Sequence, residues 1–471
     1  MNKTLLRISY MISDLLTSAI AWSAFFFFRK MVIEKKLFGS QLDIGPDTKL
    51  YIGLVAIPLF WFILHYISGF YTHPLKKSRL TDLGQTFAIT LLGSIVLFFA
   101  LILDDVISRY TNYYLSFAVL FSLQFILTYI PRFFITTSTV KRVHKGKIGF
   151  NTIIIGCNGR ATDIYRKITG QKELTGNRFV GYVTVRDAAK CELNEYLPEL
   201  GKIEDLNEIV SLHKAEEVII AIEPGENNII GRILNILNNH NLVVKAIPGM
   251  HDILLGRIRT SAIFGTPLIL LNPDPLPVWQ RNIKQLLDYF LSLIAFILLL
   301  PLTALLSVLI KLSGPGPVIY RQKRIGRHGK PFTLYKFRSM HAGAEEDGPR
   351  LSSENDKRIT PIGSFMRKHR LDEIPNFINV MKGDMSIVGP RPEREYYMKK
   401  IIEKAPRYKL LLKIKPGITS WGQVKFGYAT SIDEMVERLD YDLLYLDNMS
   451  LYVDLKIIIY TTLIIFRGRG V

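Results

Sequence analysis

The sequence predicts a membrane protein of mixed α and α/β class: an N-terminal four-helix transmembrane bundle, a Rossmann-like α/β domain, and a C-terminal domain with a re-entrant membrane helix. Three observations predict it. Four apolar runs fill the first third of the 471-residue chain, short apolar strands alternate with helical segments from Phe150 onward, and a fifth apolar run is broken near its middle by Pro301. The boundaries that follow are 1–140, 145–262 and 278–471. Composition agrees, with 48% hydrophobic residues and a mean hydropathy of +0.19. A net charge of +19 calls for an anionic partner. Acidic lipid and a phosphorylated substrate both qualify, whereas no nucleic-acid module is recognisable, so nucleic acid is not expected. Cys157 and Cys191 read as two isolated thiols, without a disulfide framework or zinc site, as suits a reducing cytoplasm.

The four runs, Leu5 to Phe28, Leu50 to Ile67, Phe87 to Leu103 and Tyr113 to Ile135, each approach the ~20 residues that cross a bilayer. The first lacks a clean small-residue cleavage site and is followed by three similar runs, so it does not read as a signal peptide. Lys76, Lys77 and Arg79 follow the second run, Lys141, Arg142, Lys145 and Lys147 follow the fourth, and Asp104 and Asp105 mark the third loop. The positive-inside preference then puts both ends of the bundle in the cytoplasm. Arg29, Lys30, Lys35 and Lys36 in the first loop pull the other way.

Asn151 to Gly156 reads as a buried strand turning into a helix over about 162–169. Further strands are expected over Phe179 to Val185, Glu217 to Ile222 and Leu242 to Ile247, with helices near Asp205 to His213 and Ile229 to Asn239, which predicts a parallel sheet. The Gly156/Gly159 turn lacks the central glycine of a dinucleotide fingerprint, leaving a bound nucleotide and a purely structural turn both open.

Residues 262–280, with Pro267, Pro273, Pro275 and Pro277, read as a linker. The run from Leu286 to Leu312 is long enough to span a bilayer. Arg281 and Lys284 precede it, and Lys311, Arg321, Lys323 and Arg324 follow, so both flanks obey the positive-inside preference only on one and the same side. Pro301 removes a helical hydrogen bond and clashes with the preceding turn. The expected result is a helix–break–helix over about 283–312 that dips into one leaflet.

The chemistry-bearing stretch is Leu371-Asp372-Glu373-Ile374-Pro375-Asn376, followed closely by Gly383-Asp384-Met385-Ser386-Ile387-Val388-Gly389-Pro390-Arg391-Pro392. Adjacent carboxylates beside a donor-rich turn suit phosphoryl transfer: a carboxylate attacks phosphorus or holds a divalent ion while Arg and backbone N–H groups neutralise phosphate oxygens. An Asp-Glu pair alone is more often a solvated helix N-terminus; the dense basic and Gly/Pro context raises this one. His328, His341 and His369 show no metal-ligand spacing, and Asp442 reads as a helix-surface acid. The closing run, Leu455 to Phe466 with Arg467 and Arg469 after it, reads as an interfacial or a buried helix.

These motifs, with Tyr335 to Met340 and Lys415-Pro416-Gly417-Ile418-Thr419, resemble in order the bacterial sugar transferases that act on polyprenyl phosphates. The resemblance covers roughly 278–471, and the whole chain looks like the long members of that family. It implies transfer of a sugar-1-phosphate from a UDP-sugar, such as UDP-glucose or UDP-galactose, to undecaprenyl phosphate, with release of UMP and initiation of glycan assembly. Asp372 is then the nucleophile, and Glu373 its neighbour, which shares Mg²⁺ with it or accepts a proton from the acceptor. Arg391, presented between Pro390 and Pro392, grips diphosphate oxygens, its other reading being a structural partner of Glu393 or Glu395. Lys336 and Arg338 alternate with apolar neighbours and either point a charged strand face at the same anionic site or, above all for Lys336, form a solvated strand face. Arg367 matches the position that meets the lipid phosphate, and Lys368 and Arg370 attract head groups. Membrane lipids are partners, a homodimer is an option, and the site is expected on the cytoplasmic face of the bacterial inner membrane. The family's Ser-Pro at the break is Leu300-Pro301 here, which leaves the angle of the break open. Two rivals are a direct attack by the lipid phosphate, with Asp372 only a metal ligand, and a non-catalytic scaffold.

Overall fold

The computed structural model describes residues 3–34, 48–72, 74–75, 77–102, 110–171, 175–185, 191–223, 227–237, 240, 242–247, 268–271, 274–344, 356–427 and 429–466. Lys35, Lys36, Lys76, Asp104, Asp105, Pro267, Pro273, Arg467 and Arg469, which entered the topology and linker readings, lie outside the described residues. The chain divides into two compact units, Met1–Gly225 with Leu242–Asn272, and Glu226–Asn241 with Pro273–Val471.

The first unit opens with α1 (Lys3–Phe28), α2 (Thr48–Ile67), α3 (Arg79–Leu97) and α4 (Thr111–His144). All four are long and apolar enough to cross a membrane. They are inside out relative to a water-soluble bundle: Leu16, Val55, Leu92 and Phe134 are exposed, whereas Asp14, Thr86, Thr90, Ser94, Gln124, Thr128 and Arg132 are buried. Steps of four residues, Asp82-Thr86-Thr90-Ser94 on α3 and Gln124-Thr128-Arg132-Thr136 on α4, keep these polar side chains on one helix face. At its centre Arg132 Nε and Nη2 donate to Asp14 Oδ1 and Oδ2 at 2.8 and 2.6 Å. Its Nη1 donates to Thr86 at 2.8 Å, and the Tyr71 hydroxyl donates to Asp14 Oδ2 at 2.6 Å. Helix α3 begins eight residues before the expected Phe87, capped by Ser78, because its first two turns carry polar residues that face inward and therefore break the apolar run.

Strands β1 (Phe150–Ile155), β2 (Asn177–Thr184), β3 (Glu199–Lys202), β4 (Glu217–Ile220), β5 (Val243–Ala246) and β6 (Ile269–Leu270) form a sheet of order β3-β2-β1-β4-β5-β6. The first five are parallel and β6 is antiparallel to β5. Burial on both faces explains the consecutive apolar residues Ile153-Ile154-Ile155 of β1 and Val218-Ile219-Ile220 of β4. The order reverses between β2 and β4, either side of β1, whose C-terminal turn leads into α5 (Gly159–Thr169), with Asn158 accepting the Ala161 N–H at 3.0 Å; α6 (Leu206–Leu212) and α7 (Asn227–Leu237) follow in the chain. The two cysteines correct the isolated-thiol reading: Cys157 and Cys191 lie with Cα atoms 5.4 Å apart and are joined as a disulfide. Packing of both against Ala161, Tyr182 and Leu193 closes a 34-residue separation that spacing alone does not reveal.

In the second unit α8 (Val278–Leu298) and α9 (Leu300–Leu312) meet at a 60° bend, with Pro301 in the first turn of α9 where its missing N–H breaks no helical bond. The first half of α8 is fastened: Lys284 Nζ donates to Asp454 Oδ2 at 2.7 Å and to the Val388 carbonyl at 2.9 Å, and Ile387 N–H donates to Asp288 at 3.1 Å. The second half exposes Phe290, Leu293, Ile297 and Leu298. The rest of the unit comprises the hairpin β7 (Ile319–Ile325) and β8 (Pro331–Phe337), α10 (Pro361–Lys368), α11 (Asn376–Lys382), the parallel pair β9 (Ser386–Val388) and β10 (Gly417–Thr419), and helices α12 (Glu395–Lys404), α13 (Trp421–Lys425), α14 (Ile432–Asp447) and α15 (Leu451–Phe466). Helix α15 joins the two readings of the closing run, burying Asp454 and Ile457 and exposing Tyr452, Leu455 and Ile459.

Candidate active site

The dyad sits in a single 3₁₀ turn, Leu371–Glu373, between α10 and α11. Arg370 before it takes a left-handed φ of 56°, a conformation that costs a non-glycine residue and persists where surrounding contacts fix it. Both carboxylates are buried, yet their surroundings differ. Glu373 Oε1 accepts from Lys336 Nζ at 2.7 Å and Arg391 Nη1 at 3.4 Å, and Arg370 Nη1 lies 3.6 Å from Oε2. Burial works to raise its titration, but Lys336, Arg370 and Arg391 overcome it and hold Glu373 well below the usual carboxylate range. Asp372 has Lys336 at 3.9 Å, and among the described residues nothing donates a hydrogen bond to its side chain. Burial pushes the Asp372 carboxyl up, Lys336 opposes it, and the neighbouring Glu373 adds to the rise.

Lys336 reaches the dyad from β8, held in register with β7 from Ile319–Phe337 to Ile325–Pro331. The strand ends at Phe337, so the alternation does not carry on to Arg338. The Arg338 guanidinium is spent instead on backbone carbonyls at the end of α9, with Nη2 donating to Ile310 and Gly314 at 2.7 and 2.8 Å and Nη1 to Pro315 at 2.6 Å. It therefore caps the C-terminus of that helix and stands apart from the carboxylate cluster. Arg367, in the last turn of α10, donates through Nε to Ser339 at 2.9 Å and lies near enough to Asp372 to favour its ionised form.

Arg391 hangs from a loop pinned at both prolines. Gly417 N–H donates to the Pro390 carbonyl at 2.9 Å, Arg324 Nη1 to the Pro392 carbonyl at 3.0 Å, and Gly389 N–H to Thr419 at 3.0 Å. A Cβ on Gly389 would fall 2.4 Å from the Lys415 carbonyl, so the crossing of the two short strands requires glycine there. Glu393 is taken by Arg438 Nη2 at 2.6 Å and Arg324 at 3.5 Å, and Arg391 turns to Glu373. Asp442, expected on a helix surface, is buried and accepts the Gly422 N–H at 2.9 Å, because α14 packs that face onto α13. Burial raises its carboxyl to about 6.

The structure thus brings together Lys336, Asp372, Glu373 and Arg391, places Arg367 at their edge, and adds Arg370, whose spacing of three from Glu373 was the available signal. Among the described residues no group of three or more His, Cys, Asp or Glu side chains could cage a metal. Two adjacent carboxylates, one without a hydrogen bond, do fit Mg²⁺, an ion that keeps several waters and takes further ligands from substrate phosphates. Next to Glu373 and Arg370 lies a cavity of about 230 Å³ that also borders the helix break at Leu299.

Profile comparison matches residues 279–468 to the family described as bacterial sugar transferase and residues 66–248 to one described as a CoA-binding domain. An Aeromonas hydrophila protein named UDP-N-acetylgalactosamine-undecaprenyl-phosphate N-acetylgalactosaminephosphotransferase is 36% identical over 49% of this chain and 54% of its own. A Caulobacter vibrioides UDP-glucose:undecaprenyl-phosphate glucose-1-phosphate transferase is 38% identical over 44% of this chain and 80% of its own. A Salmonella typhimurium undecaprenyl-phosphate galactose phosphotransferase is 29% identical over 100% of this chain and 98% of its own. The chain spans little more than half the length of the Aeromonas protein and of several similar relatives.

Proposed function

Because this chain belongs to the bacterial sugar transferase family, we propose that it transfers a sugar-1-phosphate from a UDP-sugar to undecaprenyl phosphate, releasing UMP, and so starts assembly of a lipid-linked glycan. The observation that carries the reading is the division of labour in the dyad: a buried carboxylate that takes no hydrogen bond from the described residues, beside one neutralised by three cations. The carboxylate oxygen of Asp372 attacks the β-phosphorus of the donor, the bond from that phosphorus to the bridging oxygen breaks, and UMP leaves with the electron pair. An oxygen of the lipid phosphate then attacks the same phosphorus and displaces the Asp372 carboxylate. The acceptor is a phosphate monoester, already anionic near neutral pH, so the second step calls for no general base. Glu373, held ionised by its cations, has little basicity to offer. Its role is to fix Lys336 and Arg391 where donor phosphate oxygens arrive. Mg²⁺, which Asp372 and Glu373 would hold, supplies charge neutralisation for the diphosphate when bound.

The catalytic part is residues 278–471, with the bundle over 1–140 and the Rossmann-like part over 145–262 as separate modules. The bend at Leu299 and the basic flanks support a re-entrant passage, with the site on the cytoplasmic face of the inner membrane, where a water-soluble donor meets a lipid phosphate. Purified protein, offered a panel of UDP-sugars with undecaprenyl phosphate, should release UMP and acquire a hydroxylamine-labile phosphosugar on Asp372. UMP release without any trapped adduct would favour direct attack, and no release with any donor would sink the reading. For topology, Arg281→Cys and Arg321→Cys in a background free of Cys157 and Cys191 should both resist an impermeant thiol reagent applied from outside. Labelling of position 321 with 281 protected would mean a spanning helix.

A further inference from the structure

The cavity beside the dyad has a feature that its apolar walls do not explain. Leu299, Phe377, Val424, Ile464 and Ile465 supply most of the lining, and Arg370 and Glu373 form part of its polar wall. Gln423, on α13, also lines it, is 6% exposed, and among the described residues has no partner for either its amide nitrogen or its carbonyl oxygen. Its backbone is fixed, the N–H donating to Ser420 Oγ at 3.0 Å. The cavity's two threonine hydroxyls, Thr419 and Thr461, satisfy each other at 2.7 Å. A buried carboxamide with nothing to bond is destabilising, so its presence in an apolar wall points to a ligand that completes it.

The chemistry of the walls describes that ligand: apolar over most of its surface, able to accept hydrogen bonds at one point, and anionic beside Arg370. A UDP-sugar, polar along its whole length, does not match. The volume is below the roughly 300–1,000 Å³ that encloses an entire small-molecule ligand, so the cavity holds one end of a longer molecule. The sequence neighbours of its lining residues, Leu298 and Leu300 at the break and Leu463 on α15, are exposed and apolar, a surface along which a tail can leave. We propose that this cavity seats the phosphate-bearing end of the polyprenyl phosphate acceptor, with the Gln423 amide donating to a phosphate oxygen and Arg370 facing its charge. The assignment rests on the phosphotransferase reading and adds to it an acceptor-binding residue. Glu373 in the wall does not repel the acceptor, since three cations already neutralise it.

Gln423→Met keeps the length of the side chain and removes the amide. In full-length protein reconstituted in lipid, it should raise the KM for undecaprenyl phosphate about tenfold, the size of a hydrogen bond to a charged group. The KM for the UDP-sugar, and the UMP burst in the absence of acceptor, should stay unchanged. Ile464→Trp fills the cavity from α15 and should raise the same KM, which keeps the test alive if Gln423→Met fails to fold. An unchanged acceptor KM in variants whose Tm matches wild type overturns the assignment, and so does a rise confined to the donor. A wild type that releases no UMP fails the phosphotransferase reading instead. In that event the rise in Tm produced by undecaprenyl phosphate alone still decides the cavity: lost in Gln423→Met it upholds the assignment, retained it overturns it.

Discussion

Two regions of this molecule bury carboxylates among cations, and they treat them differently. In the bundle both oxygens of Asp14 are engaged, by two nitrogens of Arg132 and by the Tyr71 hydroxyl. In the second unit Glu373 is engaged in the same manner while Asp372, one residue away, takes no hydrogen bond from the described residues. A saturated buried ion pair has every polar atom matched and so specifies how helices fit together. A carboxylate raised in energy by burial, with lone pairs left over, is available to form a bond. On the proposed mechanism, saturation, rather than burial or charge, separates framework from chemistry.

The largest effect that would break this contrast is at the unsaturated group. Asp372→Asn should lower UMP release by about a thousandfold or more with little change in Tm, because the amide is a poor nucleophile of nearly the same size. Residual activity within tenfold of wild type would place the chemistry elsewhere. The saturated pair should fail in stability instead: Arg132→Leu strands Asp14 in an apolar bundle and should cost about 3–5 kcal/mol, whereas the double variant Asp14→Leu with Arg132→Leu should recover most of it. Unfolding in detergent followed by Tm measures both, and equal losses in single and double variants would mean the pair is not the relevant unit.

Asp442 lies between the two cases, buried with one backbone donor, and gives the smallest effect. Its folded carboxyl titrates at about 6 against an ordinary 3.8, so the folded state prefers it protonated. The stability it contributes is therefore greatest below about pH 4, declines as pH rises to about 6, and is flat above that. Asp442→Asn keeps an acceptor for the Gly422 N–H and should remove this decline. Parallel Tm-versus-pH curves for the two proteins would contradict it.

The same contrast explains what could be read from the sequence. The apolar strands, the four long apolar helices and the break at Pro301 were legible because each is a local pattern of hydropathy or backbone chemistry. The start of α3 was not, since Asp82 and Thr86 belong to a buried polar seam and look like loop residues until three other helices surround them. Lys336, Asp372, Glu373 and Arg391 carry charge within recognisable motifs. Arg338 carries charge in the same motif but ends one residue past its strand, so its partners were set by where α9 stops. Gln423 offered no signal: its significance is the absence of a partner, a property of the fold alone. The disulfide between Cys157 and Cys191 was hidden for a related reason, as sheet packing and not spacing brings the sulfurs together.

Arg338 and Lys336 are two residues apart, one gripping the last carbonyls of α9 and the other gripping Glu373. The helix and the carboxylate are thus both hung from one strand end, on a lever only two backbone steps, or roughly 7 Å, long. So short an arm has almost no slack. Were α9 to lie in a bilayer as proposed, its depth and tilt would pass directly to the cation that steadies the dyad, and membrane thickness would enter the geometry of the proposed reaction.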